Sequence, residues 1–365
     1  MIEKIIEITK KLISFKTTSD NYEELNKALL YISDMFKKFN KVKIYKYKSN
    51  KKPSLVITNL KNKDRSFDYI LNGHIDVVPA KYQNAFNPMI KNNKLYGRGA
   101  MDMKSEIAVM CVVFMNLIEL KTNKKIALMI TSDEETGGFD GTRYLVEDVG
   151  YRAKCVILPD DGFYHKITIK EKGVLHLKII AKGKSAHGSR PWLGKNSIEE
   201  IINIFMEIKK IFPKKFNKNK WINTLNIGKI NGGMATNVVP DYAEAYLDVR
   251  FINKNDKTKI IEKIKKILKK YKNSHYQIIV EGDPLINDLN NFYIKKFLKI
   301  ANKHKIKFNY HYGHGASDGR FFSKYNIPVI MWRPKSSEAH INNEWVDIKS
   351  LEKYYQILKE FLLTC

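Results

Sequence analysis

Short apolar runs and helical segments alternate along the first 160 residues of the chain, and this alternation limits the possible folds more than any other feature. Helices are predicted up to about residue 39 and at 104–119. Strands are predicted at 42–47, 54–60, 68–71, 126–131 and 155–158. Strands separated by helices form mostly parallel sheets that are covered on both faces. The sequence therefore predicts an α/β domain with a mostly parallel sheet sandwiched by helices.

The order of elements changes after residue 173. The segment that follows predicts, in order, a strand at 174–181, a helix at 196–211, strands at 224–230 and 244–251, a helix at 256–270 and a strand at 276–281. This order is that of a split βαβ, ferredoxin-like α+β unit. The alternation of helices and strands then resumes, with a helix at 290–304, a strand at 327–332 and a helix at 349–363. We therefore predict a first domain made of 1–172 and 285–365, interrupted by an inserted domain at 173–284.

The strongly basic composition raises the question of a nucleic-acid partner. The formal net charge is +27, from 65 Lys and Arg against 38 Asp and Glu. The lysines are dispersed, however, and in segments such as 255–270 they fill the polar face of a helix with regularly spaced apolar residues. We therefore expect solvated lysine-rich faces and no nucleic-acid partner.

The apolar segments are too short for a membrane protein. The longest uninterrupted run, 107–115, has nine residues, whereas a spanning helix needs roughly 20. The first 13 residues have charges within an amphipathic pattern and do not resemble a signal peptide. The three cysteines show no paired spacing. We expect a cytoplasmic protein without a membrane span or a disulfide framework.

His74 and Asp76 come directly after a predicted strand. Two residues apart in an extended chain, their side chains point the same way. A carboxylate that accepts the second N–H of an imidazole fixes its tautomer and strengthens it as a metal ligand. On its own the fragment is equally consistent with a polar turn.

Glu134 and Glu135 are adjacent at the end of another predicted strand. Neighbouring side chains of an extended chain point to opposite sides, so that one carboxylate can bind a metal while the other faces a water molecule. This division suits hydrolysis, in which a general base moves a proton from water to the leaving group. Taken alone, two adjacent glutamates are more often a surface pair.

Three further candidate ligands also lie at element ends. Asp102 precedes the helix at 104–119, Asp160 follows the strand at 155–158, and His340 follows the strand at 327–332. Asp161 competes with Asp160 for the same role. Ligand sites of α/β sheets lie beyond the carboxyl ends of the strands, so these residues together predict a metal site there.

Seven motifs, in order along the chain, resemble those of the co-catalytic metallohydrolases. They are His-Ile-Asp-Val-Val-Pro, Gly-Arg-Gly-Ala-Met-Asp-Met-Lys, Asp-Glu-Glu-Thr-Gly-Gly, Gly-Lys-Ser-Ala-His-Gly, Gly-Gly-Met-Ala-Thr-Asn-Val-Val-Pro, Ala-Ser-Asp-Gly-Arg and a late Ala-His. The family includes acetylornithine deacetylase, succinyl-diaminopimelate desuccinylase, aminoacylase, the dizinc glutamate carboxypeptidase and several dipeptidases. The match spans Leu71 to Trp345, and seven ordered motifs are a specific signal.

The resemblance implies a dizinc centre, with cobalt or manganese able to substitute. In it, one zinc is held by His74 and Asp160, the other by Glu135 and His340, and Asp102 bridges them. Asp76 would orient His74, and Glu134 would be the general base for a hydroxide shared by both metals. The resemblance also makes 1–172 and 285–365 the catalytic domain, and 173–284 a lid and dimerisation domain.

Three residues of the inserted domain match substrate-contacting positions of the family. His187 matches a histidine that reaches the substrate of the neighbouring subunit, which implies a homodimer. Asn237 and Arg250 match positions that bind the substrate's carbonyl and carboxylate, and an arginine suits a carboxylate because it donates two parallel hydrogen bonds. Local hydrogen bonding at strand ends would explain Asn237 and Arg250 equally well.

The predicted function is hydrolysis of an amide bond next to a free carboxylate. We expect an N-acyl-amino-acid deacylase of the acetylornithine deacetylase or succinyl-diaminopimelate desuccinylase type, acting on a small N-acyl amino acid or short peptide. A dipeptidase or carboxypeptidase with the same dizinc site is the alternative. A catalytically silent binding protein on this fold would be attractive only if a ligand or Glu134 were missing.

Overall fold

A computed structural model of the chain describes residues 1–60, 64–82, 84–215 and 220–364; Cys365, one of the three cysteines, lies outside these ranges. The described residues form eight α-helices: α1 (Ile2–Ser14), α2 (Tyr22–Phe36), α3 (Lys104–Glu119), α4 (Ser197–Lys209), α5 (Lys254–Leu268), α6 (Phe292–Lys303), α7 (Gly319–Ser323) and α8 (Ile348–Thr364).

The strands of the described residues range from two to ten residues in length. In chain order they are β1 (Lys43–Ser49), β2 (Lys52–Thr58), β3 (Ser66–His74), β4 (Met89–Lys91), β5 (Lys94–Tyr96), β6 (Ile126–Thr131), β7 (Arg152–Ile157), β8 (Lys166–Glu171), β9 (Gly173–Lys182), β10 (Ala186–His187), β11 (Thr224–Gly232), β12 (Val238–Val239), β13 (Tyr242–Phe251), β14 (Ser274–Gly282), β15 (Asn309–Gly313), β16 (Val329–Ile330) and β17 (Trp345–Asp347).

The chain divides into two compact units. The first contains 1–170, 286–313 and 317–365, and the second contains 171–285 together with 314–316. The sequence prediction of an interrupted first domain differs from this division by two residues or fewer at the two main boundaries. No helix among the described residues is long and apolar enough to span a lipid bilayer.

The main sheet of the first unit has six strands in the order β1-β2-β6-β3-β7-β16. Strand β3 lies between β6 and β7 and runs parallel to both, and β16 runs parallel to β7. This arrangement confirms the predicted α/β fold. It also brings the carboxyl ends of β3, β6 and β7 to one edge of the sheet.

The first two strands depart from the parallel pattern. β1 pairs antiparallel with β2, and β2 pairs antiparallel with β6. The turn between them is Asn50-Lys51, and both residues have positive φ, 40° and 70°. Two consecutive residues of this kind form the type I′ turn of a tight hairpin. The sheet is therefore mixed, because a two-residue connection can only join antiparallel neighbours.

The helix α3 occupies the centre of the first unit. It packs against β3 and β6 and is covered in turn by α1 and α8. Every residue of 107–115 is buried. A helix that is apolar all round is stable only when it is covered on all sides, which explains the longest apolar run of the chain.

The second unit has a four-stranded antiparallel sheet in the order β11-β13-β9-β14. Its two helices, α4 and α5, follow β9 and β13 along the chain. Apolar side chains of α4 and α5, among them Ile201, Ile204 and Ile264, join those of the sheet in a separate hydrophobic core. The element order is the ferredoxin-like one that the sequence predicts.

Candidate metal centre

Polar side chains gather at the carboxyl edge of the main sheet. His74 is the last residue of β3 and lies beside Thr131, the last residue of β6. Glu134 and Glu135 follow β6, and Asp160 follows β7. Because these strands are parallel neighbours, the residues that follow them are brought together.

His74 lies at the buried end of the cluster, with a side chain only 1% exposed. Its Nε2 is 3.3 Å from Oδ1 of Asp102 and 3.4 Å from Oδ1 of Asp160. Its Nδ1 is 3.0 Å from the carbonyl oxygen of Asp76 and 3.4 Å from the Asp76 carboxylate. The ring therefore has one nitrogen on Asp76 and presents the other to two carboxylates.

Asp76 connects three segments of the first unit. Its carboxylate accepts hydrogen bonds from the backbone N–H groups of Glu134 and Glu135, at 3.2 and 3.1 Å, and from the hydroxyl of Ser19 at 2.9 Å. Asp76 is completely buried. It consequently fixes both the ring of His74 and the start of the segment that carries the two glutamates. Ser19 lies outside every sequence motif.

Glu134 and Glu135 form a 3₁₀ turn, Glu134–Thr136, instead of continuing the strand. Successive side chains of such a turn point about 120° apart, so the two carboxylates still diverge. Gly138 follows with a φ of +65°, and a Cβ there would lie 1.8 Å from Oδ1 of Asp318. Only glycine fits at this close approach, which explains the second glycine of the Gly-Gly pair in the motif.

The candidate ligands form two groups that each resemble a metal site. Potential ligand atoms of His74, Glu134 and Asp160 lie within 4.8 Å of one another, and so do those of Asp102, Glu135 and His340. Oδ2 of Asp102 lies 3.4 Å from Nε2 of His340, while its Oδ1 faces His74. Asp102 thus joins the two groups through its two oxygens.

His340 lies in the connection between β16 and β17. Its Nε2 is 3.2 Å from Oε1 of Glu135, and its side chain is 51% exposed. The residue has a φ of +64°. His340 therefore completes the second group from a loop and from the solvent side.

Asp160 and Asp161, which the sequence left as competitors, have different partners. Oδ1 of Asp160 faces Nε2 of His74. Asp161 accepts a hydrogen bond of 3.0 Å from the hydroxyl of Thr168, and its Oδ2 lies 4.0 Å from Nε2 of His311. Asp160 is the aspartate that the structure brings to the cluster.

The carboxylates shift the pKa values of both histidines. Burial disfavours protonation of His74, but three surrounding aspartates outweigh it and raise the pKa of the ring well above its usual value. Asp102 and Glu135 raise the pKa of His340 to about 10. Burial raises the pKa of Glu134 well above its usual value, and the negative charge of Asp160 adds to the shift. The cluster therefore favours bound positive charge.

Two buried charged residues lie next to the cluster but were not among the candidates predicted from the sequence. Nη2 of Arg333 lies 3.6 Å from Asp160 and 4.0 Å from Asp102. Glu344 contacts the turn before Asp102 and the backbone of His340. Arg333 directly follows the predicted strand at 327–332, and Glu344 lies four residues after His340, but neither has a motif of its own.

His187 and Asn237 are neighbours within the second unit. His187 pairs with Val238, and the N–H of Gly188 donates a 2.7 Å hydrogen bond to the carbonyl of Asn237. Nδ1 of the exposed His187 ring accepts the backbone N–H of Ser189 at 3.1 Å. Its Nε2 is therefore the nitrogen left to donate a proton.

Arg250 lies near the end of β13 and is held by a residue of the same strand. Its Nε and Nη2 donate to the two carboxylate oxygens of Asp248 at 2.8 and 3.3 Å. Nε2 of His176 lies 3.4 Å from the same carboxylate. The guanidinium thus already has a bidentate carboxylate partner inside the second unit.

The donor chemistry of the cluster fits divalent cations. Both groups combine an imidazole Nε2 with carboxylate oxygens, which suits zinc and also cobalt or manganese. The buried carboxylates need positive charge nearby, because unpaired buried charges are costly. An arrangement with two such groups joined by one carboxylate is typical of two-metal hydrolytic sites.

Known proteins share both the sequence and the fold of this chain. Its sequence is 30% identical to a succinyl-diaminopimelate desuccinylase of Pelagibacter ubique over 88% of both chains. It is 27% identical to the protein of that name from Rickettsia bellii, over 97% of this chain and 95% of the relative. The fold is similar to that of a metallo-carboxypeptidase from Sulfolobus solfataricus, with a TM-score of 0.82, 19% identity and 98% of both chains covered.

The family assignment follows from a match that includes all the ligand candidates. The sequence pattern described as peptidase family M20/M25/M40 matches residues 70–364. This range includes the whole candidate centre except Ser19, which only supports Asp76. The chain belongs to peptidase family M20/M25/M40, and it is a metal-dependent hydrolase of amide bonds that binds divalent cations.

Proposed function

We propose that the cluster holds two zinc ions. One is bound by His74 and Asp160, the other by Glu135 and His340, with Asp102 bridging them. The observation that carries this proposal is the position of Asp102, whose two oxygens face Nε2 of His74 at 3.3 Å and Nε2 of His340 at 3.4 Å. Cobalt or manganese can replace zinc in such a donor set.

In this proposal Glu134 is the general base. The two ions, when bound, polarise the scissile carbonyl and activate a water molecule. Glu134 lies within the group of His74 and Asp160, and in this proposal those two residues and Asp102 hold the ion, so that Glu134 is left for proton transfer. Its carboxylate takes a proton from the water and passes it to the leaving nitrogen. Asp76 holds the backbone of Glu134, so that the base has a fixed position.

We propose that the substrate is an N-acyl amino acid whose amide lies next to a free carboxylate, with a succinyl group as the first candidate. The support is that relatives from two genera, matched over most of their length, are named succinyl-diaminopimelate desuccinylases. Asn237 and Arg250 are the proposed contacts for the substrate's carbonyl and carboxylate. Because the Arg250 guanidinium already donates hydrogen bonds to Asp248, the substrate's carboxylate must either displace Asp248 or bind the guanidinium together with it.

The test is a hydrolysis panel on zinc-reconstituted protein. It compares N-succinyl, N-acetyl and N-formyl amino acids with dipeptides, and each assay is repeated with Glu134→Gln as the control for contaminating activity. We expect the N-succinyl compounds to have the highest kcat/KM. If dipeptides were hydrolysed faster than the N-acyl amino acids, the protein would be a peptidase and not a deacylase. No hydrolysis of any compound would favour a binding protein.

We further propose a cytoplasmic homodimer in which His187 stabilises the oxyanion in the neighbouring subunit's site. Removing such a donor lowers kcat by about 10² to 10³. The test mixes inactive His187→Ala with inactive Glu134→Gln protein under subunit exchange. A hybrid dimer then contains one site with an intact Glu134 and an intact His187, so activity should return. No return of activity despite exchange would mean that His187 acts within its own chain or is merely structural.

A further inference from the structure

We infer that Glu344 is a positioning residue that ties the backbone of His340 to the turn that leads to Asp102. Glu344 holds the exposed ligand, His340, and the bridging ligand, Asp102, at a fixed position relative to each other. The inference rests on the ligand roles proposed above for these two residues. Glu344 is not among the proposed metal ligands or the proposed proton-transfer groups.

Four contacts meet at Glu344. Oε1 accepts the backbone N–H of His340 at 3.1 Å and lies 3.0 Å from Nη1 of Arg98. Oε2 accepts the N–H of Gly99 at 2.5 Å, and the carbonyl oxygen accepts the N–H of Gly97 at 3.0 Å. Glu344 is 1% exposed and Arg98 is 2% exposed. The contacts are therefore shielded from water, where hydrogen bonds to a charged group are strong.

The small sheet of the first unit explains how Glu344 reaches this place. β17 pairs antiparallel with β5, with Trp345 opposite Tyr96. The residue before β17, Glu344, is thus placed against Gly97, the residue after β5. Asp102 comes three residues after Gly99, so that the same carboxylate fixes the start of the segment that carries the bridging ligand.

His340 needs such a support because it lies on a loop. The connection between β16 and β17 is closed at its base by the bonds between Ser337 and Trp345, which do not include His340 itself. A ligand on an untethered loop loses conformational freedom when it binds a metal, and this cost weakens binding. The bond from the His340 N–H to Glu344 reduces that cost in advance.

The carboxylate is required for this role, and an amide is not equivalent. Both oxygens of Glu344 act as acceptors towards N–H groups. A glutamine has one acceptor oxygen and one NH₂ donor. In either orientation, Glu344→Gln sets an NH₂ group against a donor, either at Gly99 or at His340 and Arg98. The substitution must therefore break at least one of the hydrogen bonds that join the side chain of Glu344 to the two segments.

The experiment compares Glu344→Gln with Glu338→Gln, which makes the same chemical change at an exposed position of the same loop. A double variant, Arg98→Met/Glu344→Gln, removes the cation that the single variant would leave buried without its partner. The first measurement is amide hydrogen exchange of metal-free protein over 97–104 and 338–345. The second is the titration of each protein with zinc.

We expect faster exchange at Gly99 or His340 by about tenfold or more in both Glu344 variants, and no change in Glu338→Gln. The affinity for the more weakly held ion should fall by about 10- to 100-fold, as is found for outer-shell partners of metal ligands. The other ion should change less. Unchanged exchange in both segments, or zinc binding equal to that of Glu338→Gln, would overturn the inference.

The proposed function can fail separately. If the wild-type protein bound only one zinc ion, the two-metal centre would be wrong. The exchange rates would still decide whether Glu344 joins the two segments, because they are measured without metal.

Discussion

The two halves of the candidate centre, one around His74 and the other around His340, are held in different ways. The side chain of His74 is 1% exposed at the end of a central strand, and Asp76 fixes its ring. The side chain of His340 is 51% exposed on a loop whose backbone is attached through Glu344. A ligand at a strand end is positioned by the sheet itself, whereas a loop ligand depends on a separate polar contact.

This difference predicts that the two proposed ions are not equivalent. An ion beside His74 is surrounded by buried carboxylates, and an ion beside His340 faces water. We therefore expect the ion of the His340 half to exchange first with a chelator.

Glu134 lies in the buried half, but we expect it to move protons and not to hold the ion. Glu134→Gln should lower kcat by about 10² to 10⁴, the range for loss of general base catalysis, with both ions retained. Steady-state kinetics and metal analysis on the same sample check this, with Glu338→Gln as the control. Loss of an ion would make Glu134 a ligand, and activity near that of the wild type would place the base elsewhere.

Removal of each histidine should affect the two halves unequally. His340→Ala should keep the ion of the buried half and weaken the other by more than the roughly 100-fold that outer-shell changes cause. His74→Ala should weaken the buried ion and also lower stability, because three buried aspartates lose a cationic partner. Zinc titration and thermal unfolding of both variants check this contrast. Equal loss of both ions in His340→Ala would contradict it.

Metal uptake should release protons from both halves. The surrounding carboxylates raise the pKa of His340 to about 10 and that of His74 well above its usual value. The ring of His340 is then protonated at neutral pH and must lose its proton to bind a metal, and the shift of His74 acts in the same direction. Affinity should rise about tenfold per pH unit for each proton released. Calorimetry in buffers of different ionisation enthalpy measures the protons, and a release of none at pH 7 would contradict the account.

The carboxyl group of Glu106 reports how strongly water is excluded from the protein interior next to the buried half. It lies on α3 four residues after Asp102, and burial raises its pKa from 4.5 to about 8, although the charge of Arg333 opposes the shift. Between these pH values the unfolded chain is ionised while the folded protein keeps the proton. Glu106 should therefore contribute a loss of stability as the pH rises from about 4.5 to 8.

Glu106→Gln should remove the contribution of this residue. Its free energy of unfolding, relative to the wild type, should increase by up to about 1.4 kcal/mol per pH unit in that window and stay constant above it. Denaturant unfolding at several pH values measures the difference, with Glu119→Gln at the exposed end of α3 as the control. A stability difference that does not change between pH 4.5 and 8 would mean that Glu106 ionises in the folded protein as it does in the unfolded chain.

The sequence predicted the ligands of the buried half better than the contacts that hold the ligands in place. His74 and Asp160 follow apolar strands, and parallel strands bring their ends together, so their proximity could be inferred from order alone. Two contacts join residues that are far apart in sequence: the contact of Ser19 with Asp76 and that of Gly99 with Glu344. No periodic pattern of the sequence indicates either contact. Such contacts depend on the packed tertiary structure.

The hairpin of β1 and β2 shows the same limit at the level of the fold. Its strands have the expected apolar pattern, but their direction is set by the two positive-φ residues Asn50 and Lys51. A strand pattern has no direction of its own. The mixed character of the sheet therefore depended on a turn whose Asn-Lys sequence is not a strong hairpin signal.

Anomalous diffraction from zinc-soaked crystals, recorded at the zinc absorption edge, can locate both ions of a centre with one buried and one exposed half. We expect two peaks about 3.5 to 4 Å apart, one beside Nε2 of His74 and Asp160 and the other beside Glu135 and Nε2 of His340. A short soak in chelator should remove the second peak first. A single peak in fully active protein, or two peaks away from Asp102, would contradict the account.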